Sequence, residues 1–175
     1  VLNDIGPVIE RDGLLRIVAF VGRVPLPATW DEAAALVRDM NMRQFPAVPE
    51  HHWAEIARQW FSDEHGRPMH GYVQSLARSL SVLDGPVPAM WDQFDALRRV
   101  PALVVRGALS DILSEETVAE MRLRHPNLAV LTVKGQGHAP LLRDRPTQDV
   151  IGDFLSRADG PVDVAGRLGA ALARR

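Results

Sequence analysis

The stretch Gly135-Gln136-Gly137-His138-Ala139-Pro140 is the part of the sequence from which the fold is best inferred. It follows Leu128-Ala-Val-Leu-Thr-Val133, an alternating apolar run that is typical of a short strand. The two glycines allow a sharp turn, which places the imidazole of His138 just beyond the carboxyl end of that strand. Reacting groups gather at this end of the strands in an open parallel sheet.

A second strand is predicted upstream, over Pro101-Ala-Leu-Val-Val-Arg106, and the loop after it carries Asp111. A helix from Ser114 to about Arg124, with Ser114 as its N-cap, separates this loop from the next strand. One carboxylate and one imidazole are therefore expected just beyond two strand ends.

This order of strand, acid, helix, strand and histidine resembles the C-terminal half of the α/β-hydrolase fold. A second block, Leu2-Asn-Asp-Ile-Gly-Pro7 followed by Gly13-Leu-Leu-Arg-Ile17 and Val21-Gly22, is similar to the segment after the sixth strand in a subgroup of these proteins. The resemblance covers about residues 1–157. It implies an α/β fold class: the C-terminal part of an α/β-hydrolase sheet with a helical cap insertion, and without the N-terminal half that carries the nucleophile.

Four regions are expected along the chain. Residues 1–23 hold the end of a core strand and an amphipathic helix, 24–86 a helical cap, 87–158 the C-terminal hydrolase core and 159–175 a tail. The cap is predicted to be helical throughout, because Thr29-Trp-Asp-Glu32 is a capping box and further helices are predicted to follow Pro49 and Tyr72. Between them, residues 63–68 are predicted to form a polar turn. In the core, helices are expected over about 87–99 and 146–157.

The N-terminus favours a longer protein. The chain starts at Val1 without Met, and Val1-Leu2-Asn3-Asp4 resembles the last residues of a strand already under way. At average element and loop lengths, the strands and helices expected before it would take roughly 100 further residues. The alternative is a small protein whose gene starts with a GTG codon.

The resemblance implies that His138 is the general base and that Asp111 orients it through Nδ1–H. Asp4 is the rival acid, since it also follows a strand and some relatives place the acid there. The alternatives are a surface loop histidine, a helix-end role for Asp111 and a turn-stabilising role for Asp4. No serine lies in a Gly-x-Ser-x-Gly elbow, so no nucleophile is identified in this chain.

The implied function is Ser-His-Asp hydrolysis of an ester, a lactone or a C–C bond in a small carbonyl substrate, without cofactor or metal. One alternative is an epoxide hydrolase or dehalogenase with an upstream aspartate as nucleophile. Another is a hydrolase-like protein that only binds a ligand or a partner. The expected partners are a small-molecule substrate and the missing N-terminal half of the same protein.

Composition argues against several other classes of protein. The formal net charge of −2 offers no electrostatic basis for binding nucleic acid or an anionic membrane. No apolar run reaches the length of about 20 residues that a membrane span requires. The chain has no cysteine and shows no signal-peptide pattern, so a cytoplasmic protein is predicted. The cap histidines His51, His52, His65 and His70 lack a metal-ligand spacing, and they are expected to be solvated or to line the pocket.

Overall fold

The computed structural model describes residues 1–21, 23–71 and 87–158. The chain divides into two compact units, Val1–Leu141 and Leu142–Arg175. The predicted helix after Tyr72 and the predicted tail, residues 159–175, lie outside the described residues. No helix in the described ranges is both long and apolar enough to cross a membrane.

In its described residues, the first unit contains a parallel sheet of β1 (Leu2–Asn3), β4 (Ala102–Gly107) and β5 (Leu128–Val133). The spatial order of these strands is β1-β4-β5. Every residue of β4 is buried, as expected for a central strand covered on both faces. All three strand predictions are confirmed to within one residue.

Within the described residues, three helices accompany this sheet: α1 (Arg11–Phe20), α4 (Trp91–Asp95) and α5 (Glu115–Arg124). Ser114 caps α5 as predicted, because its side chain accepts a hydrogen bond from the backbone N–H of Thr117. Helix α4 is shorter than predicted, since after Asp95 the chain tightens into turns bonded three residues apart. Phe94, Val104, Leu113, Val118 and Met121 form the buried core of this region.

The described part of the predicted cap, residues 24–71, is not all helical. It contains α2 (Trp30–Asn41), a 3₁₀ turn (Glu50–His52), α3 (Trp53–Trp60) and an antiparallel hairpin of β2 (Phe61–Glu64) and β3 (Arg67–His70). The predicted polar turn is thus the tip of a hairpin. His65 and Gly66 both have positive φ, at 54° and 82°, which is the backbone that two-residue hairpin turns require.

A second hydrophobic core holds the cap together. Its buried members are Ala33, Val37, Phe45, Trp53, Ile56, Ala57 and Phe61. Val37 and Ala33 lie one turn apart on α2 and face α3, so the packing follows from the helical repeat. At the start of α2, Thr29 Oγ1 accepts a hydrogen bond from Glu32 N, while the Glu32 carboxylate accepts one from Ala28 N.

In its described part, the second unit consists of residues 142–158 and contains α6 (Arg145–Ala158). Asp144 stands just before this helix, and its carboxylate accepts a hydrogen bond from Thr147 N at 2.9 Å. This is the N-cap arrangement, which satisfies one of the free N–H groups of the first turn. The predicted final helix is confirmed with bounds within one residue.

Candidate active site

His138 follows β5 and points one ring nitrogen at a carboxylate. Its Nδ1 lies 2.9 Å from Asp4 Oδ2 and 3.1 Å from the backbone oxygen of Asp4. Both neighbours can only accept, so Nδ1 carries the hydrogen and Nε2 is the unprotonated nitrogen of the neutral ring. The His138 side chain is 23% exposed, whereas that of Asp4 is fully buried. This is the orientation in which an imidazole can take up a proton at Nε2.

Asp4 follows β1 in a left-handed conformation, with φ of 54°, which aspartate adopts more readily than most residues. Its carboxylate accepts hydrogen bonds from Gly107 N at 2.7 Å and from the hydroxyl of Ser110 at 2.6 Å, besides the one from His138. Three donors thus satisfy the oxygens of this buried carboxylate. Asp4 is therefore held in one orientation by the end of β4 and the loop after it.

The structure corrects the expectation that Asp111 orients His138. That expectation placed Asp111 on the strand next to β5 and Asp4 one strand further away, and β4 does lie between β1 and β5. The loop after β5 folds back across the end of β4, where the Gln136 carbonyl accepts a hydrogen bond from Leu109 N at 2.9 Å. This crossing covers the two-strand distance of about 10 Å. The rival acid, Asp4, is thus the partner of His138.

Two glycines allow the close contacts that this loop makes. A Cβ on Gly107 would collide with the carbonyl oxygens of Gln136 and Gly137, and a Cβ on Gly137 would lie 2.6 Å from that of Gln44. The loop can therefore lie directly on the end of β4 because Gly107 lacks a side chain, and Gln44 can pack against the loop because Gly137 lacks one.

Asp111 instead binds Arg16 of α1. Its two carboxylate oxygens accept hydrogen bonds from Arg16 Nε at 2.6 Å and Nη2 at 2.9 Å, a bidentate pair. Gly13 brings α1 close to this loop, because a Cβ there would collide with the backbone oxygen of Asp111. Burial alone would raise the pKa of Asp111, but hydrogen bonds from Arg16 and Gln44 and the charge of Arg16 hold that pKa below its usual value.

A lowered pKa has a testable consequence for stability. The contribution of Asp111 is fully present above the ordinary aspartate pKa of about 3.9 and is lost as the pH falls through the lower pKa of the folded state. We expect Asp111→Asn to lower the free energy of unfolding at pH 7 by about 1 kcal/mol, as for partly exposed ion pairs. The difference from wild type, measured by urea unfolding, should shrink as the pH falls below about 3.9 and vanish below the pKa that Asp111 has in the folded state. Asp12→Asn, at an exposed position of α1, is the control, and a difference that grew on acidification would contradict the assignment.

Gln44 contacts both the histidine loop and Asp111. Its side-chain oxygen lies 3.4 Å from His138 N, and its side chain also hydrogen-bonds to Asp111. Gln44 belongs to the cap segment just after α2, so a cap residue contacts both the histidine loop and the Arg16–Asp111 pair. Its side chain gave no signal in the sequence, and neither did that of Ser110 as a donor to Asp4, because both roles depend on contacts between distant segments.

A cavity of about 300 Å³ lies beside His138. Its walls are mainly apolar and come from α1 and from the cap, with Ile17, Phe20, Val21, Trp60 and Phe61 among them. Its polar lining residues in the described chain are Arg16, Asn41, His70 and His138. The cavity thus lies between the loop of His138, α1 and the predicted cap, and His70 is one of the cap histidines that line it. No described lining residue carries a hydroxyl, a thiol or a carboxylate.

A histidine oriented by a buried carboxylate, at the carboxyl edge of a parallel sheet and beside an apolar cavity, is an arrangement in which the imidazole can act as a general base. Comparison with known proteins identifies the fold. The chain is 34% identical to an α/β hydrolase from Novosphingobium aromaticivorans, with a TM-score of 0.81, over 90% of this chain and 56% of that one.

Among curated proteins, the chain is 32% identical over 160 residues to the 3-hydroxybutyrate-oligomer hydrolase of Cupriavidus necator, which covers 86% of this chain and 53% of the relative. The solved structure of E-2-(acetamidomethylene)succinate hydrolase shares the fold at 21% identity and a TM-score of 0.66, over 88% of this chain and 56% of that one. The chain matches no family model.

The chain therefore has an α/β-hydrolase fold and corresponds to its C-terminal portion, which confirms the fold expected from the sequence. It spans about half the length of the relatives that it matches.

Proposed function

We propose that this chain supplies the general base, the orienting acid and the acyl pocket of a carboxylic ester hydrolase. The nucleophile, a serine, would come from a segment outside these 175 residues. The protein that includes this segment is called the complete enzyme below. The observation that carries the proposal is the 2.9 Å contact between His138 Nδ1 and the buried Asp4, with His138 lining the cavity.

In this mechanism Nε2 of His138 takes the serine proton as the serine oxygen attacks the ester carbonyl. The tetrahedral intermediate then collapses, the C–O bond to the alcohol breaks, and His138 passes the proton to the departing alcohol. In the second half, His138 deprotonates a water that attacks the carbonyl of the acyl-serine. The C–O bond to the serine then breaks, the carboxylic acid leaves, and the proton returns to the serine oxygen. Asp4 stabilises the imidazolium at each stage, because its carboxylate faces Nδ1–H.

The ester class is supported by two observations. The apolar walls of the cavity suit a short acyl chain, whose burial stabilises binding by about 25 cal/mol per Å². The relative from Cupriavidus necator acts, by its name, on oligomers of 3-hydroxybutyrate, whose hydroxy-acid units are joined as esters. Among the ester, the lactone and the C–C substrates expected from the sequence, the ester is therefore favoured.

The test is hydrolysis of p-nitrophenyl butyrate by the 175-residue chain and by the complete enzyme. We expect the chain alone to hydrolyse the ester no faster than buffer does, because His138 has no nucleophile to deprotonate. The complete enzyme should be active, and its His138→Ala variant should fall to the background rate.

Two outcomes would contradict this proposal. Activity of the 175-residue chain that disappears in His138→Ala would show that these residues already contain the nucleophile. A complete enzyme that binds the ester but does not hydrolyse it would favour the ligand-binding alternative. Covalent labelling by a fluorophosphonate distinguishes the proposed ester hydrolase from an epoxide hydrolase or dehalogenase, since it marks a serine nucleophile but not an aspartate.

A further inference from the structure

Arg16 is the permanently charged group among the described residues that line the cavity beside His138. The neighbouring positions on the same helix, Ile17 and Phe20, are apolar and line the same space. An arginine in such a wall is costly unless its guanidinium is hydrogen-bonded, and the Arg16 side chain is only 28% exposed. Its position therefore calls for an explanation beyond helix formation.

Asp111 binds only one edge of the Arg16 guanidinium. Nε and Nη2 donate to the carboxylate at 2.6 and 2.9 Å, which fixes the plane of the guanidinium. Nη1 makes no hydrogen bond within the described part of the chain, so the end formed by Nη1 and Nη2 still has donors to offer. Because Asp111 is itself held by Gln44, the guanidinium is positioned before any ligand arrives. A planar, fixed pair of N–H groups matches the two oxygens of a carboxylate.

We propose that Arg16 forms a carboxylate-binding subsite of this cavity, so that the preferred substrates are esters that also carry a free carboxylate. This inference rests on the proposed function, because it assigns a substrate class to the same pocket. The carboxylate lies on the Nη1–Nη2 end of Arg16, the apolar chain lies along Ile17 and Phe20, and the ester carbonyl lies towards His138. Asp111 compensates the charge of Arg16, so recognition depends on directed hydrogen bonds more than on net charge.

The test measures binding, which does not depend on turnover. Monomethyl adipate and dimethyl adipate have the same chain and an ester at one end, but only the monoester has a carboxylate at the other. Titration of the complete enzyme, with its nucleophilic serine replaced by alanine so that neither ester is consumed, is followed by the ring signals of His138 in NMR spectra. We expect the monoester to bind at least about tenfold more tightly, which corresponds to about 1.4 kcal/mol.

Variants identify the residue responsible. Arg16→Gln should abolish the preference for the monoester, and Arg16→Lys should retain part of it, because an ammonium keeps the charge without the fork. Arg11→Gln is the matched control, since Arg11 begins the same helix, is exposed and does not line the cavity. It makes the same change in charge and should leave the preference intact.

Equal binding of the two esters by the wild type, or no saturable binding of the monoester, would overturn the subsite. So would a preference that survives in Arg16→Gln. The outcome is separable from that of the proposed function: a monoester preference in a complete enzyme that hydrolyses no ester would leave the subsite standing and reject the hydrolase. Hydrolysis without any preference for the monoester would reject the subsite and leave the hydrolase standing.

Discussion

Asp4→Asn should lower kcat of the complete enzyme for p-nitrophenyl butyrate by about 10⁴-fold, the loss seen when the acid of a Ser-His-Asp site becomes an amide. The amide can present N–H to Nδ1, which favours the tautomer with hydrogen on Nε2 and leaves His138 unable to accept the serine proton. The shape of the side chain is unchanged, so the buried site remains filled. Initial rates over a pH series measure the effect.

The comparison with Asp111→Asn decides which acid acts on the histidine. Asp111 faces Arg16, so its amide variant should affect KM for carboxylate-bearing esters and lower kcat far less than Asp4→Asn. Asp12→Asn, on the exposed side of α1, controls for the loss of one negative charge. If Asp111→Asn proved as damaging to kcat as Asp4→Asn, the contact between His138 and Asp4 would not be the catalytic one. Thermal unfolding of each variant shows whether a loss of activity reflects a loss of folded protein.

The elements of this fold could be predicted where local pattern and tertiary context agree. The apolar runs of β4 and β5 carry their own boundaries in Pro101, Asn127 and Gly135, and Ser114 supplies a cap for the helix between them. Helix α1 was predicted from the spacing of Leu14, Ile17 and Val18, which are half-buried in the structure. In each case the deciding chemistry lies within a few residues of the element.

The cap hairpin shows where local pattern misleads. Helix α3 ends at Trp60, and the chain passes directly into β2 at Phe61 without a glycine or proline to mark the change. The signal that was present is His65-Gly66, which takes the place of the Asn-Gly pair that more often forms such turns. Pro68 lies in β3, a position that argued against a strand but is tolerated in a two-stranded hairpin, where each strand has a free edge.

Local pattern could not identify which of the two acids contacts His138. Asp4 and Asp111 both follow strands, and strand order alone put Asp4 further from His138. Asp4 is nevertheless the partner of His138, because the loop after β5 passes over Gly107 at the end of β4. This is a contact between residues about 30 positions apart. The sequence contains that glycine but does not indicate which backbone will lie on it.

Gly107→Ala should therefore disable the site without touching either of its ionisable groups. The new Cβ would overlap the carbonyl oxygens of Gln136 and Gly137, so the loop must lift from the end of β4 and carry His138 away from Asp4. A displacement of about 1 Å at a reacting group can cost about 10²-fold in rate. Overpacking a tight contact also costs about 1–3 kcal/mol of stability. We expect kcat of the complete enzyme to fall at least a hundredfold and the urea midpoint to fall with it.

Gly152→Ala is the matched control for this change. A Cβ on Gly152 meets no atom within 4 Å, and the residue lies inside α6, where alanine is favoured over glycine by up to about 1 kcal/mol. This variant should keep full activity and equal or greater stability. NMR distinguishes a displaced loop from a loss of folded protein. The folded Gly107→Ala variant should show His138 without its Nδ1 hydrogen bond to Asp4. A Gly107→Ala enzyme with wild-type kcat would mean that the loop finds another route across β4, and that close backbone contact is not what brings the acid and the histidine together.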